Sequence, residues 1–353
     1  MTQCPIASLD CMKEFSGRSR TDYGHTPSSN SIRLCVSPGL RYKNLGKSGL
    51  RVSNLGLGTW SIFSPTVSRE QGESLIKLAF DSGINLFDLS EAHSGIRAEV
   101  ELGKIIKKYA WKRASYVVVT KIYWTPKSEE RGISRKKIIE SIKSSLERLQ
   151  IDYIDIVLFH KKDEMCPSEE LIRAINYVIN EGWCLYWGTA KWRLWKRIYH
   201  MFCRDKAELY LPELYKQIGV GLITWSPLSM MLSENSERLL FPTKDSLKTK
   251  SQSYSWTEDE INKEDRNEIE KVMELELLAE KLGCSMAQLS IAWSLKHETV
   301  QCILISACTN EQLRKSLQAL QLIPRLSTSV MEVIESILDN RPSKPTPISV
   351  QKI

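Results

Sequence analysis

Residues 116–161 read YVVVTKIYWTPKSEERGISRKKIIESIKSSLERLQIDYIDIVLFHK, and the order of patterns in them decides the fold class. Tyr116 to Trp124 is a run of β-branched and aromatic residues, the composition of a strand. After a polar stretch, Ser134 supplies an N-cap, and Ile138, Ile142, Leu146 and Leu149 recur at the spacing of one helix face. Tyr153 to Lys161 repeats the strand signal and is apolar on both faces, as a strand buried in a parallel sheet must be. Strand, helix, strand is the unit from which parallel sheets are built.

The same alternation continues on either side. Further strands are expected at Leu55 to Trp60, Gly83 to Ser90, Cys184 to Trp192, Val220 to Leu228 and Gln301 to Thr309, with helices between them. One helix is expected from about Asp265 to Leu282, stopping at Gly283. Polar or reactive residues sit repeatedly where strands end: Asp88, Lys121, His160, Lys191 and Ser226. In a (β/α) barrel such ends converge on one mouth, so a barrel is favoured over a doubly wound sheet. A closed barrel of this kind needs eight strands, and only seven are written. The interval from Cys184 to Val220 has room for one strand–helix unit and not for two.

Outside this core the sequence changes character. Residues 1–39 are rich in Ser, Thr, Pro and Gly without apolar periodicity and read as a mobile tail. Ser229 to Lys263 reads as a long polar loop, and residues 342–353 as a Pro-containing end. The expected organisation is therefore a tail over 1–39, one barrel over 40–341 and a short tail over 342–353.

The chain has 353 residues, 42% hydrophobic and 26% charged, which is ordinary for a globular protein and unlike a disordered one. No apolar run is long enough to span a bilayer, and the amino terminus has no signal-peptide core. A net charge of +7 permits an anionic ligand without calling for nucleic acid. The nine cysteines form neither a C-x-x-C pair nor a metal-ligand spacing, so they read as reduced thiols of a cytosolic protein, and no metal is expected.

Three phosphate-like motifs fail on their context. Gly46-Lys47-Ser48 has the end of a P-loop, but Arg41 stands where its first glycine belongs, so it reads as a turn before the first barrel strand. Gly56-Leu57-Gly58 lacks the third glycine of a dinucleotide fingerprint, with Ser61 in its place, and reads as close packing in a barrel floor. The run KWRLWKR over 191–197 reads as a helix start with snorkelling side chains.

Beyond these patterns, specific segments carry a resemblance. Leu40 to Ser53 (LRYKNLGKSGLRVS), Leu55 to Trp60 (LGLGTW), Gly83 to Asp88 (GINLFD), Ser145 to Gln150 (SLERLQ) and Thr224 to Leu228 (TWSPL) resemble the aldo-keto reductases. More narrowly, they resemble the cytoplasmic beta subunits of voltage-gated potassium channels. The resemblance covers residues 40–341 and implies an α/β (β/α)8 TIM barrel lacking one strand–helix segment after Trp192. The absent strand would end in a glutamine that holds the nicotinamide carboxamide.

What the resemblance implies for chemistry is mixed. In such reductases a tyrosine gives a proton to the substrate carbonyl while NADPH gives hydride to its carbon, and a lysine paired with an aspartate lowers the tyrosine's pKa. The aspartate falls on Asp88 and the lysine on Lys121, but the tyrosine position is His93. The fourth catalytic position is His160, as in the enzyme branch, where the channel subunits carry asparagine. Loss of a positioned acid typically lowers a rate by about 10² to 10⁴.

For NADPH the resemblance places contacts at Thr59, Trp60, Asp88, His160, Lys191, Trp225, Ser226, Pro227, Leu228, Lys244, Cys308 and Gln312. Lys191 and Lys244 stand where the subunits have arginine, and Cys308 and Ala190 replace serines, so NADPH binding weaker than the family norm is expected.

The leading expectation is an auxiliary channel subunit: a homotetramer docked on channel alpha subunits, cytoplasmic and peripheral at the plasma membrane, altering gating or trafficking. The tail before Leu40 could then serve as an inactivation peptide. An active NADPH-dependent aldehyde or ketone reductase using His93 or His160 as acid is the alternative. A third reading is a shortened chain that folds poorly.

Overall fold

The computed structural model describes residues 37–59, 62–63, 67–89, 95–123, 132–160, 165–190, 199–225 and 258–342. A small antiparallel hairpin comes first, β1 (Tyr42–Asn44) against β2 (Arg51–Ser53). Seven strands then form one parallel sheet: β3 (Leu55–Gly58), β4 (Leu86–Asp88), β5 (Val117–Ile122), β6 (Ile154–His160), β7 (Cys184–Ala190), β8 (Ile223–Trp225) and β9 (Cys302–Ile305). Their spatial order is β7-β6-β5-β4-β3-β9-β8, so the first barrel strand pairs with the last. All seven expected strands are present, each within its expected span. The sheet curls as an α/β barrel does but does not close, because among the described residues β7 pairs only with β6 and β8 only with β9. Among the described residues no strand lies between those two edges, in keeping with the absence of an eighth strand pattern after Trp192.

The helices follow the strands: α1 (Arg69–Asp81), α2 (Gly95–Tyr109), α3 (Arg135–Leu149), α4 (Ser168–Asn180), α5 (Asp205–Ile218), α6 (Glu258–Lys281), α7 (Met286–Lys296), α8 (Asn310–Gln318) and α9 (Thr328–Leu338). On α3, Ser134 caps as its spacing predicts, its hydroxyl accepting from Lys137 N at 3.2 Å. Ile138, Ile142 and Leu149 are buried there, while Leu146 stays half-buried at the edge of the core. The helix expected from Asp265 begins earlier, at Glu258, so the end of the expected polar loop is helical instead. Its early turns carry no apolar period to announce them. Its end is as expected, with Gly283 at φ +67°.

Strand alternation sorts the core into two layers. Leu86, Val117, Val119, Ile156, Leu158, Cys302 and Leu304 fill the inside of the curl with Val52 from the hairpin. Leu57, Phe87, Val118, Val157, Phe159 and Ile303 point outward beneath the helices. Gly56 belongs to the inner layer, where a Cβ would lie 2.8 Å from Leu86 Cδ2 and 2.9 Å from Leu304 Cδ2.

The hairpin sits at the amino ends of the strands. Tyr42 Oη donates to the carbonyl of Gly83, just before β4, at 2.7 Å, and Lys43 Nζ to that of Val300, just before β9, at 3.2 Å. Gly46-Lys47-Ser48 is its turn: Ser48 Oγ donates to Leu45 O at 2.6 Å, and Lys47 N to Gly219 O at 2.8 Å, just before β8. That end of the curl is therefore covered. The carboxyl ends are the mouth.

A buried cluster ties the segment before α5 to the last helix. Arg204, 3% exposed in its side chain, donates to Glu208 at 2.8 and 3.1 Å and to Glu335 of α9 at 2.7 Å. Its guanidinium lies over the Trp293 ring, 5.3 Å from the centroid. Tyr199 Oη donates to Glu208 at 2.9 Å, and Asn340 Nδ2 to Met201 O at 2.8 Å.

Candidate functional site

The period of two that places Leu86, Val117, Val119, Ile156 and Leu158 inside the curl places Asp88, Lys121 and His160 on the same face. Each lies at or beside the carboxyl end of its strand, on three adjacent strands in register: Asp88 opposite Val119, and Lys121 opposite Leu158. All three are half-buried, with the apolar inner layer beneath them. Burial pushes the thiol of Cys302 up from its ordinary value, and the Asp88 carboxylate adds to that shift, which marks Asp88 as part of this interior.

One further residue joins them. Lys121 Nζ lies 5.2 Å from the centroid of the Tyr123 ring, and the rings of Tyr123 and His160 are 5.1 Å apart at 46°. An ammonium, a phenol and an imidazole thus lie together at the ends of β5 and β6. Tyr123 does not stand out in the sequence, because its ring looks like one more strand-forming aromatic between Tyr116 and Trp124. Its signal is its spacing: two residues after Lys121, it continues the inner face.

The strands that carry these groups are held from behind and from the side. Thr120, pointing outward between Val119 and Lys121, donates to the buried carboxylate of Glu99 on α2. Glu99 also accepts from Arg148 Nε of α3 at 2.6 Å. At the mouth, Thr59 N and Thr59 Oγ1 both donate to the Asp88 carbonyl, at 3.1 and 3.0 Å, fixing the end of β3 against the end of β4.

Beyond β9, the amino end of α8 lies on the same side of the sheet. Thr309 caps it, accepting from Gln312 N at 3.2 Å. Gln312 Oε1 in turn accepts from Cys308 N at 2.7 Å and Thr309 N at 3.2 Å. Cys308 is half-buried beside it. Gln312 therefore shapes the first turn of α8, whose amide groups carry the positive end of the helix dipole.

Among the residues expected at the site, the structure brings Asp88, Lys121 and His160 to one mouth, with Thr59 at its rim, and places Cys308 and Gln312 at the start of α8. Trp225 ends β8 in its backbone. Trp60, His93, Lys191, Ser226, Pro227, Leu228 and Lys244 lie outside the described residues. Among the described residues no three His, Cys, Asp or Glu side chains gather as a metal-ligand set, and no helix is long and apolar enough to cross a membrane. The profile of the aldo/keto reductase family matches residues 54–339, which takes in the seven-stranded sheet from the end of the hairpin to the last helix.

Proposed function

The chain belongs to the aldo/keto reductase family, and from that premise we propose that it is an NADPH-binding auxiliary subunit of a voltage-gated potassium channel whose barrel turns over carbonyls slowly. The observation that carries this reading is a reductase-type mouth, with Asp88, Lys121 and His160 in place, in a chain whose proton-donor position is His93. A barrel that keeps its charged mouth but not the family's tyrosine donor suits a nucleotide-sensing subunit better than a fast enzyme.

The donor set fits a phosphorylated nicotinamide nucleotide. The inner face offers an ammonium, a carboxylate and an imidazole, and the amino end of α8 is suited to a phosphate. Thr59, Trp60, Lys191, Trp225 to Leu228, Lys244, Cys308 and Gln312 would hold the nucleotide, which supplies hydride to a carbonyl carbon when bound. Lys121 would orient the carbonyl oxygen by charge, and His160 would hydrogen-bond to it. Imidazolium at His93 can donate a proton, but a lysine ammonium beside it would disfavour its charged form.

The channel part of the proposal rests on the Leu40 to Ser53 segment, which folds as the hairpin over the amino ends of the strands. The proposed assembly is a homotetramer, cytoplasmic and held at the plasma membrane by the channel's alpha subunits. Co-purification with a potassium-channel tetramerisation domain is the expected result, and no association of folded protein with that domain would overturn the channel assignment. NADPH should change tryptophan fluorescence on titration, and a flat response would remove the nucleotide. An active reductase is the second reading, favoured by one observation, the contact of Tyr123 with Lys121 and His160.

A further inference from the structure

We infer that the hairpin end of the molecule, away from the mouth, is a docking surface for an anionic lipid bilayer. Its charge is of one sign. Leu40 to Ser53 holds Arg41, Lys43, Lys47 and Arg51 and neither Asp nor Glu. In the hairpin register Lys43 lies opposite Val52, the inward residue, and its ammonium is spent on the Val300 carbonyl, with Glu298 as its acidic neighbour. Arg51 lies opposite Asn44 on the other face, and Arg41, Lys47 and Arg51 are all exposed. Lys216, in the last turn of α5, adds a fourth exposed cation. Among the described residues none of these four has a carboxylate within ion-pair distance.

The second observation is apolar. Ile218, at the end of α5, is 68% exposed, and Tyr215 and Tyr42 are exposed beside the cations. The hairpin turn and the end of α5 are one surface: Lys47 N donates to Gly219 O at 2.8 Å, and Lys47 Nζ donates to Lys216 O at 2.8 Å and lies 5.6 Å from the Tyr215 centroid. Cations with flexible stems, tyrosines and an aliphatic tip together match the boundary between lipid headgroups and acyl chains. A nucleic acid or an acidic protein would reward the charge but gain nothing specific from Ile218. An anionic bilayer rewards both. The inference is independent of the nucleotide and of the channel, because the purified chain alone suffices for it.

Co-sedimentation with vesicles tests it, using phosphatidylcholine alone or with about 30% phosphatidylserine at about 0.1 M salt. Binding is expected to the mixed vesicles only and to vanish at about 0.5 M salt. Each cation near such a surface is worth about fivefold in partition, so Lys47→Gln should lose about fivefold and the triple change Arg41→Gln, Lys47→Gln, Arg51→Gln about 100-fold. The positions are exposed, and circular dichroism checks each fold; should the triple variant misfold, Lys47→Gln gives the same readout. Ile218→Ser, with charge unchanged, should lose about threefold or more. No binding to the mixed vesicles overturns the inference. Binding kept in full by the glutamine variants overturns it too, since another part of the chain then carries the contact. Unchanged partition in Ile218→Ser overturns the choice of a bilayer over an acidic macromolecule.

Discussion

Replacing Arg204 with Met tests whether the buried ion cluster holds the carboxyl-terminal helix onto the open barrel. Arg204 gives three hydrogen bonds to Glu208 and Glu335 between 2.7 and 3.1 Å, and its side chain is only 3% exposed. Met approximates its apolar length and retains contact with Trp293, so the packing loss is small. What remains is two part-buried carboxylates deprived of the guanidinium they share. Breaking a buried pair from one side typically costs about 3–5 kcal/mol. Side-chain exposures of 19% for Glu208 and 24% for Glu335 let water screen part of that, so we expect about 3 kcal/mol. Urea unfolding at pH 7, followed by tryptophan fluorescence, reads it directly. A second variant makes the test specific: adding Glu208→Gln to Arg204→Met should recover about 1 kcal/mol or more, because neighbours in one network couple. A loss below about 1 kcal/mol for Arg204→Met, or strict additivity of the two changes, would refute the reasoning.

Two other outcomes follow from the core and from a buried imidazole. Gly56→Ala should destabilise by about 1–3 kcal/mol in the same urea assay, because a Cβ there would stand 2.8 to 3.0 Å from Leu86, Leu304 and Cys302; a neutral effect would show that the inner layer is loosely packed. His200 is held neutral by burial, its pKa pushed down from 6.5 to about 4. Its folded value lies below its unfolded one, so its contribution is present above about pH 6.5 and is lost as pH falls from there toward 4, to the extent of about 2–3 kcal/mol. His200→Asn, whose amide oxygen can still accept from Phe202 N, should therefore lose less stability than wild type between pH 7 and pH 4.5, as urea midpoints at the two values would show.

Much of this fold is legible because parallel strands buried on two faces must be written in Val, Ile, Leu and Phe. Val117 to Val119 and Ile154 to Phe159 leave little choice of element, and the absence of an eighth such run announces the unclosed sheet. The hairpin was legible only as a turn. Its strands are three residues each, Tyr-Lys-Asn and Arg-Val-Ser, and only Val52 of these joins the inner layer. The start of α6 was missed for a similar reason, since Glu258 to Lys263 has the composition of a loop. At the site, charged groups stand out at strand ends, so Asp88, Lys121 and His160 were visible. Tyr123 was not, because an aromatic residue at a strand end serves packing as readily as chemistry, and only its neighbours distinguish the two.

The position of β8 in the sheet has a consequence for how binding would be felt. It is three residues long, the last rung of the ladder, and supported from one side only among the described residues. Local opening is cheapest at such an end. Trp225, one of the positions proposed to hold the nucleotide, belongs to this rung. On that proposal, nucleotide affinity and the local opening equilibrium of Ile223–Trp225 are thermodynamically linked. Any change that loosens the rung weakens binding without touching the nucleotide, and saturation with nucleotide protects those amides from hydrogen exchange before it protects the central strands.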